Sequence, residues 1–587
     1  MSAWNGWKQD IAKKLSDQLG VQVAPGEMVI PPDTKMGDFA FGCFRLAKEQ
    51  KKSPTDLAQI IAQEFKTQGT DIVVVSAVGP YVNFQLAIGN VVSRVIQDVE
   101  KMGEGYGASP LGAGNQILIE YANPNTHKEM HIGHLRNFVV GFSIVQLIKM
   151  VGYKATPISY INDVGANVAK CLWFLVKKYN FDPRIFSEQD YQKLLSDVPQ
   201  EIRTANHLGM IYTEATVYTD THPEAKEEIS FVQNQLEAHV SVWEQLWHET
   251  RQWSLDEFYA AFRDLGVKIE RQFFESEVID RSQTIVDGLL KQGIAKESQG
   301  ALIIDLEEKK LGVALLRKSD GNLLYFPKDL ALAELKMKEY PSFKSGFIIT
   351  DVRQSFYFKQ LFEVLKRMGI KQAFQFVGYE IVTLKEGVMS SRKGNIVTYE
   401  SFRDAVIEYA RKEIVERHAD WSKKKVDDIA WNLAMAGIKF GMLKQDNDKV
   451  YTFDLEQALS FDGATGPYCQ YAATRLGSIF KKAKRSLEIP RQVRNDIAFD
   501  HESEKRLALK LAAFPSIVEQ AAKELRPSIV AQWCFECSQS INEFYRDVPV
   551  LESTGDLLEG RLRLVGAARQ TLIKGLDLLG ISVPEEM

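Results

Sequence analysis

The sequence predicts an α/β protein, in which a Rossmann-like parallel-sheet domain with a helical insertion lies between a small α+β domain and an all-α domain. Two central segments, residues 117–148 and 347–365, each combine an apolar run of strand length with a following helical pattern. From about Ser401 onward, long apolar-periodic helices predominate and strand signals are few. A chain of 587 residues is also too long for one core. The predicted domains are 1–108, 109–400 and 401–587.

The first domain is expected to end in a glycine-dense stretch. Five glycines occur between Gly103 and Gly114, and glycine-rich segments of this kind behave as flexible linkers. We therefore expect a linker between the first domain and the central one.

The strongest chemical signal follows the first central strand. The run at 117–121 suits a strand buried on both faces, and a polar segment from Pro124 to His134 separates it from the next helix. His131 and His134 would share the first turn of that helix, at the positive end where a polyphosphate binds. Gly133 would let a purine ring or a sugar approach the backbone closely.

The rest of the central domain is predicted in two parts. Residues 170–275 are rich in Glu, Gln, Trp and Lys at helical spacing and lack strand-like alternation, which indicates a mainly helical insertion. Residues 347–350 then form a short buried strand, and Asp351 to Gln354 lead into a helix. The order strand, turn, helix is the arrangement in which open α/β sheets bind ligands at the carboxyl ends of their strands.

Bulk properties exclude several classes of protein. No run of eighteen apolar residues is present and the amino terminus does not resemble a signal peptide, so we expect a soluble, cytoplasmic protein without membrane contact. The five cysteines are scattered and only Cys534 and Cys537 are close, so no zinc and no other metal ligand set is expected. The net charge of −5 means that any RNA-binding surface is locally basic, with Lys423–Lys425 as one candidate.

The segment from Pro124 to Arg136 resembles the signature of class I aminoacyl-tRNA synthetases, and its longer form is similar to that of arginyl-tRNA synthetases. A second segment, Met389 to Asn395, resembles the mobile Lys-Met-Ser-Lys-Ser loop of the same class. Val388 replaces the leading lysine of that loop. The resemblance implies that Lys128 or Lys393 supplies the missing positive charge.

The resemblance implies that an amino-acid carboxylate attacks the α-phosphorus of ATP, with Mg²⁺ accompanying the nucleotide, and that the adenylate is then transferred to the 3′-terminal ribose of tRNA. Charge stabilisation and positioning would provide the catalysis. The implied catalytic residues are Lys128, His131, His134 and Lys393. The implied ATP-binding residues are His131, Gly133, His134, Met389, Ser390 and Ser391.

Arginine is the amino acid that the resemblance implies. A guanidinium presents planar donors in a fixed fork, so a carboxylate is its best partner. The implied arginine-binding residues are Asn125, Tyr325, Asp329 and Gln354. Tyr325 and Asp329 follow an Asp320-Gly321 turn at the family's spacing. Tyr357 stands where the family usually has a His, which suggests either a shifted adenine or arginine contact or a packing substitution, and we favour packing.

The two ends of the chain suggest the macromolecular partner. Residues 37–62 resemble the small domain with which arginyl enzymes touch the elbow of tRNA. The run from Thr465 to Arg475 resembles a motif of their anticodon-binding domain. The implied tRNA-binding residues are Tyr468, Gln470, Tyr471 and Arg475, although each could instead pack between helices. We expect a monomer whose partners are ATP, arginine and the tRNA for arginine.

Two other classes remain open from the sequence. One is a different nucleotidyl transferase with the same histidine signature, such as a cysteinyl synthetase or a pantothenate synthetase. The first should carry zinc-ligand cysteines and the second should lack the helical domain, and neither suits this chain. The other class is a non-catalytic synthetase-like RNA binder, which has no need to retain His131, Gly133 and His134.

Overall fold

A computed structural model describes residues 2–319, 321, 323–385, 397–484 and 497–587. Its helices are α1 Ala3–Leu19, α2 Phe44–Gln50, α3 Pro54–Glu64, α4 Ile88–Met102, α5 Ile132–Met150, α6 Ala166–Lys178, α7 Glu188–Asp197, α8 Ala205–Thr221, α9 Ala225–Glu237, α10 Ser241–Leu265, α11 Ile279–Lys291, α12 Tyr325–Glu339, α13 Ser355–Arg367, α14 Tyr399–Arg417, α15 Lys423–Leu443, α16 Leu455–Leu459, α17 Gly466–Lys482, α18 Glu502–Glu524, α19 Pro527–Asp547 and α20 Gly555–Leu578. Its strands are β1 Met28–Val29, β2 Phe39–Gly42, β3 Ile72–Val78, β4 Tyr81–Leu86, β5 Gln116–Glu120, β6 Lys154–Ile161, β7 Arg271–Phe274, β8 Lys296–Ser298, β9 Ala301–Asp305, β10 Val313–Arg317, β11 Ser345–Asp351, β12 Ala373–Tyr379, β13 Val382–Leu384 and β14 Tyr451–Phe453.

The chain folds into two compact units. The terminal unit comprises Met1–Ser109, Ser460–Ala521 and Ile529–Met587, and the central unit comprises Pro110–Leu459 and Ala522–Ser528. The predicted domain boundaries at 108/109 and 400/401 stay predictions. None of the helices in the described part of the chain has the length and apolar character needed to cross a membrane.

The terminal unit joins an antiparallel sheet to a set of helices. The sheet has the strand order β1-β2-β4-β3, and helices α1, α3 and α4 belong to the same α+β region. A buried ion pair of 2.8 Å between Lys505 and Asp38 connects this region to helix α18. Arg563 of α20 also pairs with Glu100 of α4, at 2.6 Å. The predicted α+β domain and the all-α region therefore pack against each other inside one unit.

The central unit is built on a five-stranded parallel sheet with the order β12-β11-β5-β6-β7. In order of appearance along the chain this is 5-4-1-2-3, which is the Rossmann arrangement. The strand order reverses between β5 and β11, and open sheets of this kind bind ligands in the crevice at that point. The predicted α/β fold with its parallel sheet is confirmed.

The helical insertion lies between β6 and β7. Helices α6 to α10 bury a core of their own that includes Trp173, Trp243 and Leu246. Helix α8 comes very close to the loop before α5, since a Cβ on Gly209 would lie 2.3 Å from Cγ of Glu129. The predicted helical insertion is confirmed, and glycine at this position allows it to contact the histidine-bearing loop.

A small antiparallel sheet, β10-β9-β8, lies between α11 and α12 and was not predicted. Its first hairpin turns at Gln299 and Gly300, which both have positive φ values, of 50° and 78°. This is the geometry of a two-residue hairpin turn that usually carries Asn-Gly. This turn carries Gln-Gly instead, so the sequence lacks the usual signal for a hairpin.

Candidate active site

His131 and His134 begin helix α5 at the carboxyl edge of the sheet. The N–H of Gly133 donates to Nδ1 of His131 at 3.1 Å, and the N–H of His131 donates to Nδ1 of His134 at 3.2 Å. The two rings lie with their centroids 4.0 Å apart. A Cβ on Gly133 would come within 2.8 Å of the His131 ring, so this glycine makes room for a side chain of the protein itself.

Both imidazoles have their Nδ1 atoms occupied as acceptors. Burial lowers the pKa of His131, and burial together with the nearby His131 and Lys128 lowers the pKa of His134 to about 3. Both rings are therefore neutral near pH 7 and carry their proton on Nε2. Each Nε2–H is a hydrogen-bond donor that can be directed at a phosphate oxygen in front of the helix.

Lys128 precedes these histidines and faces the helical insertion. Its ammonium nitrogen lies 5.3 Å from the ring centroid of Tyr212 on α8, and that of Lys170 lies 5.4 Å from the same ring. Burial, and then the charge of Lys170, lower the pKa of Lys128. Two lysines thus bring positive charge to the side of the site that the insertion forms.

The loop before α5 is fixed to its neighbours by backbone and side-chain bonds. Asn125 forms a parallel bridge with Asn162, whose carbonyl oxygen also accepts from the N–H of Thr126 at 3.0 Å. His127 is buried, with Nε2 2.9 Å from Oγ1 of Thr250 on α10 and a positive φ of 57°. These contacts fix the position of the loop relative to β6 and to the insertion.

Asn137 of α5 connects the carboxyl end of β5 to that of β11. Its Oδ1 accepts from the N–H of Ala122 at 2.6 Å, and its Nδ2 donates to the carbonyl oxygen of Ile349 at 2.7 Å. One buried amide thus joins the carboxyl ends of the two strands at which the strand order reverses.

The predicted second signature, with Met389, Ser390, Ser391 and Lys393, lies outside the described residues. The chain on its carboxyl side pairs with the first signature: the N–H of Ile132 donates to Val397 O at 3.3 Å, and that of Tyr399 donates to Met130 O at 2.8 Å. On its amino side, Arg136 of α5 holds the chain just before β13. Both flanks of the second signature are thus attached to the first.

Three carboxyl groups converge beneath the crevice from separate segments. Glu120 ends β5 and forms a buried ion pair with Lys336 of α12. Glu275 follows β7 and forms a buried ion pair with Lys328. Each of these two carboxylates therefore has its own cation, which offsets much of the cost of burying its charge.

Asp329 of α12 is the third carboxyl group, and it differs from the other two. It accepts a hydrogen bond from the hydroxyl of Tyr357, and no lysine or arginine in the described part of the chain forms an ion pair with it. Burial raises the pKa of Asp329 to about 7, and the nearby Glu120 and Glu275 act in the same direction. Its ionised form needs a positive partner from elsewhere.

The structure shows Tyr357 in a different role from the packing substitution expected from the sequence. Its ring does pack edge-on against Phe326 and Phe358, with centroids 5.6 and 5.3 Å away. Its hydroxyl, however, donates to Asp329, so the packing interpretation was incomplete. The buried hydroxyl of the neighbouring Tyr160 has no hydrogen-bond partner among the described residues.

The remaining predicted arginine-binding residues are exposed near the carboxyl edge of the sheet. Tyr325 begins α12 with 60% of its surface exposed, and Gln354 precedes α13 and is also exposed. Asn125 is exposed on the histidine-bearing loop. Helices α12 and α13 both begin at the carboxyl edge of the sheet, because α12 leads into β11 and α13 follows it. The first turns of both helices therefore lie at the carboxyl edge where the strand order reverses.

The sequence did not identify Glu120 or Glu275 as part of this pocket. Glu120 had a usable signal, because it is a charged residue between apolar neighbours in a strand buried on both faces. Glu275 follows β7, and no spacing rule connects residues that meet only through the sheet.

Comparison with known proteins identifies the family. The model of the catalytic domain of class I tRNA synthetases (R) matches residues 95–455. The chain belongs to the arginyl class I tRNA synthetases. Models of the arginyl tRNA synthetase N-terminal domain and of the DALR anticodon-binding domain match residues 5–86 and 469–587. Members of the class use ATP as a substrate.

Relatives in this synthetase family resemble the chain over nearly its whole length. The arginine–tRNA ligase of Bdellovibrio bacteriovorus is 34% identical over 95% of this chain and 94% of its own length. That of Clostridioides difficile is 32% identical over 98% of both chains. The arginyl-tRNA synthetase structure from Thermus thermophilus has a TM-score of 0.78 and 25% identity, and all of both chains is covered.

The anticodon-domain residues of this synthetase fall into two groups. The Arg475 guanidinium lies between the rings of Tyr471 and Tyr545, 4.6 and 4.7 Å from their centroids, and donates to Asn542 at 3.0 Å. Asn542 in turn donates to the Tyr468 hydroxyl at 2.9 Å. Gln470 is fully buried instead, and its amide donates to the carbonyl oxygen of Ser582. Its burial matches the packing role that the sequence left open.

Within the described residues, no group of three His, Cys, Asp or Glu side chains is arranged to hold a metal ion. All five cysteines are buried as free thiols. The expectation that this synthetase needs no zinc stays a prediction.

Proposed function

We propose that this protein ligates arginine to its tRNA in two steps within the crevice between β5 and β11. In the first step, the arginine carboxylate attacks the α-phosphorus of ATP and pyrophosphate leaves. In the second, a hydroxyl of the 3′-terminal ribose of tRNA attacks the carbonyl carbon of the adenylate and AMP leaves. Mg²⁺ accompanies the ATP phosphates, and no zinc takes part.

The observation that carries the choice of arginine is the charge balance around Asp329. Glu120 and Glu275 each have a lysine, whereas Asp329 accepts from a phenol hydroxyl and forms no ion pair with a lysine or arginine among the described residues. A guanidinium supplies a delocalised positive charge and paired donors for this carboxylate. The unpartnered Tyr160 hydroxyl offers a further acceptor beside it. A neutral or acidic amino acid would leave the pocket with excess negative charge.

Asn125, Tyr325 and Gln354 then bind the exposed end of the substrate at the mouth of the pocket. The Nε2–H groups of His131 and His134 donate to phosphate oxygens that gain negative charge in the transition state. Gly133 keeps these rings in place, and Lys128 supplies positive charge from the side of the insertion. Met389, Ser390, Ser391 and Lys393 contribute further donors to ATP, as the family resemblance implies.

The tRNA contacts the terminal unit. Tyr468, Tyr471 and Arg475 form a surface on which an unpaired anticodon base can stack, with Arg475 held between two rings. Gln470 supports this surface through its bond to Ser582 rather than by touching RNA. The protein acts as a monomer in the cytoplasm, with ATP, arginine and the tRNA for arginine as its partners.

The test is ATP–pyrophosphate exchange with each standard amino acid, with and without tRNA. We expect exchange with arginine. The Asp329→Asn variant serves as the comparison, because it keeps the shape of the pocket but loses its charge. Exchange with another amino acid would refute the arginine pocket. Absence of exchange with every amino acid, together with retained tRNA binding, would instead favour a non-catalytic RNA binder.

A further inference from the structure

We propose that Tyr357 is a positioning residue that orients the Asp329 carboxylate, keeps it ionised and thereby sets the discrimination between arginine and its uncharged analogues. This inference rests on the proposed function and deepens it, because it concerns the same pocket. It assigns a role in substrate selection to a side chain that the family resemblance marks as a departure from the usual histidine.

The geometry fixes the Tyr357 hydroxyl with respect to Asp329. Phe326 meets the tyrosine ring at an interplanar angle of 78° and Phe358 meets it at 89°, so the ring is held edge-on from two sides. The hydroxyl donates to Oδ2 of Asp329. This bond leaves Oδ1, and the second lone pair of Oδ2, for the donors of an incoming guanidinium.

The charged groups around Asp329 show why one neutral donor matters. Glu120 and Glu275 face it from β5 and from the segment after β7, and both disfavour its ionised form. Lys336 favours the ionised form but is itself paired with Glu120. Lys328 is paired with Glu275. The Tyr357 hydroxyl is thus the direct hydrogen-bond donor to Asp329 among the described side chains.

The change in the pKa of Asp329 on removing this hydroxyl has a predictable sign. The hydrogen bond from Tyr357 opposes the rise in the pKa of Asp329 that burial causes, so its loss raises that pKa further above about 7. At neutral pH, a larger fraction of Asp329 is then protonated and uncharged. Arginine, which gains from a charged carboxylate, loses affinity, whereas its uncharged isostere citrulline loses little.

Two replacements at this position separate the hydroxyl from the ring. Tyr357→Phe keeps the contacts with Phe326 and Phe358 and removes only the donor. Tyr357→His restores a donor of the kind that the family usually has. The matched control is Tyr259→Phe, which removes a hydroxyl that donates to Gln272 at 2.7 Å on another part of the central unit.

The experiment measures arginine and citrulline binding by calorimetry and arginine-dependent exchange between pH 6 and 9. For Tyr357→Phe we expect the Kd and the KM for arginine to rise about tenfold at pH 7, with kcat changed less than about threefold. We also expect the pH midpoint of arginine affinity to move upward and the preference over citrulline to fall. Tyr357→His should recover part of each loss, and Tyr259→Phe should match the wild type.

An unchanged arginine affinity and an unchanged pH midpoint in Tyr357→Phe would overturn the proposal and leave Tyr357 as a packing residue. Equal losses for arginine and citrulline would also overturn it, because they would indicate a distorted pocket. If the wild type binds arginine without catalysing exchange, the proposed catalytic function fails while the binding data still decide the role of Tyr357. If the wild type does not bind arginine at all, both proposals fail.

Discussion

The guanidinium of Arg136 donates a 2.7 Å hydrogen bond to the carbonyl oxygen of Glu380. Its other contacts are also with carbonyl oxygens, those of Lys449 at 2.7 Å and Asp446 at 3.2 Å. Arg136 lies on α5, two residues beyond His134, and Glu380 lies just before β13. A buried side chain therefore connects the helix of the first signature to the strand that leads toward the second.

Arg136→Lys should weaken this connection, because an ammonium cannot reach carbonyl oxygens that a planar fork spans. At least one buried carbonyl loses its donor, so we expect the free energy of unfolding to fall by about 1–3 kcal/mol. We also expect a lower kcat in exchange, with a smaller change in the KM for arginine. Urea unfolding and exchange kinetics measure both. The exposed Arg184→Lys is the control, and a variant indistinguishable from it would contradict this prediction.

Gly133→Ala should displace the His131 ring, because the added Cβ would lie 2.8 Å from its Cε1 and 2.9 Å from its Nδ1. The bond from the Gly133 N–H that orients the His131 ring is then lost, and on the proposed function we expect exchange to slow by about 10- to 100-fold. Gly288→Ala on α11 is the matched control, since its Cβ meets no atom within 4 Å. Similar activity in the two variants would show that the ring position is unimportant.

Lys128→Ala should reduce exchange about a hundredfold or more if this lysine replaces the one missing from the second signature, by analogy with other charge-stabilising groups. Lys393→Ala tests the alternative. Lys170→Ala is the control that the structure provides, because Lys170 approaches the same Tyr212 ring from the insertion. Single-turnover kinetics separate a loss of chemistry from a loss of binding. Equal, small losses at Lys128 and Lys393 would refute both assignments.

The buried His127 should make the protein sensitive to acid. Burial, and then the charge of Arg251, lower the pKa of His127 to about 3, below about 6.5 in an unfolded chain. The folded state therefore holds the neutral ring. Its stabilising effect is complete above pH 6.5 and is lost as the pH falls toward 3, by about 1.4 kcal/mol per pH unit.

Urea unfolding of the wild type and of His127→Gln between pH 7 and 4 measures this effect. The slope of the free energy of unfolding against pH should be smaller in the variant by about 1.4 kcal/mol per pH unit, which corresponds to one proton. The exposed His239→Gln serves as the control and should keep the wild-type slope. Parallel curves for the wild type and His127→Gln would contradict the prediction.

Local patterns in the sequence were sufficient for much of the fold. The apolar run at 117–121 predicted β5, which the structure places at Gln116–Glu120, and the helical spacing at 135–148 predicted α5, which is longer by about a turn at its start. Its first turn is polar because it carries the two histidines, and their spacing rather than the apolar pattern predicted that turn. Asp329 was named from the family's spacing between Tyr325 and Asp329, and its role in binding arginine stays a prediction.

Contacts between distant segments could not be predicted in the same way. Tyr357 meets Asp329 because α12 and α13 begin at one edge of the sheet, and nothing in the spacing of the two residues indicates this. Glu275 reaches the pocket only after the whole insertion between β6 and β7. The bond from Asn137 to the ends of β5 and β11 likewise depends on the strand order, which a single sequence does not specify.

The three carboxyl groups of the pocket belong to Glu120, Glu275 and Asp329, which are far apart along the chain. During synthesis on the ribosome, the first signature emerges long before the residues that complete the floor of the pocket. A nascent chain released before Asp329 would therefore carry the two histidines but lack the carboxyl group that we propose for the guanidinium. If the proposed function holds, selection of the amino acid is a property of the finished sheet, and incomplete translation products should not activate arginine.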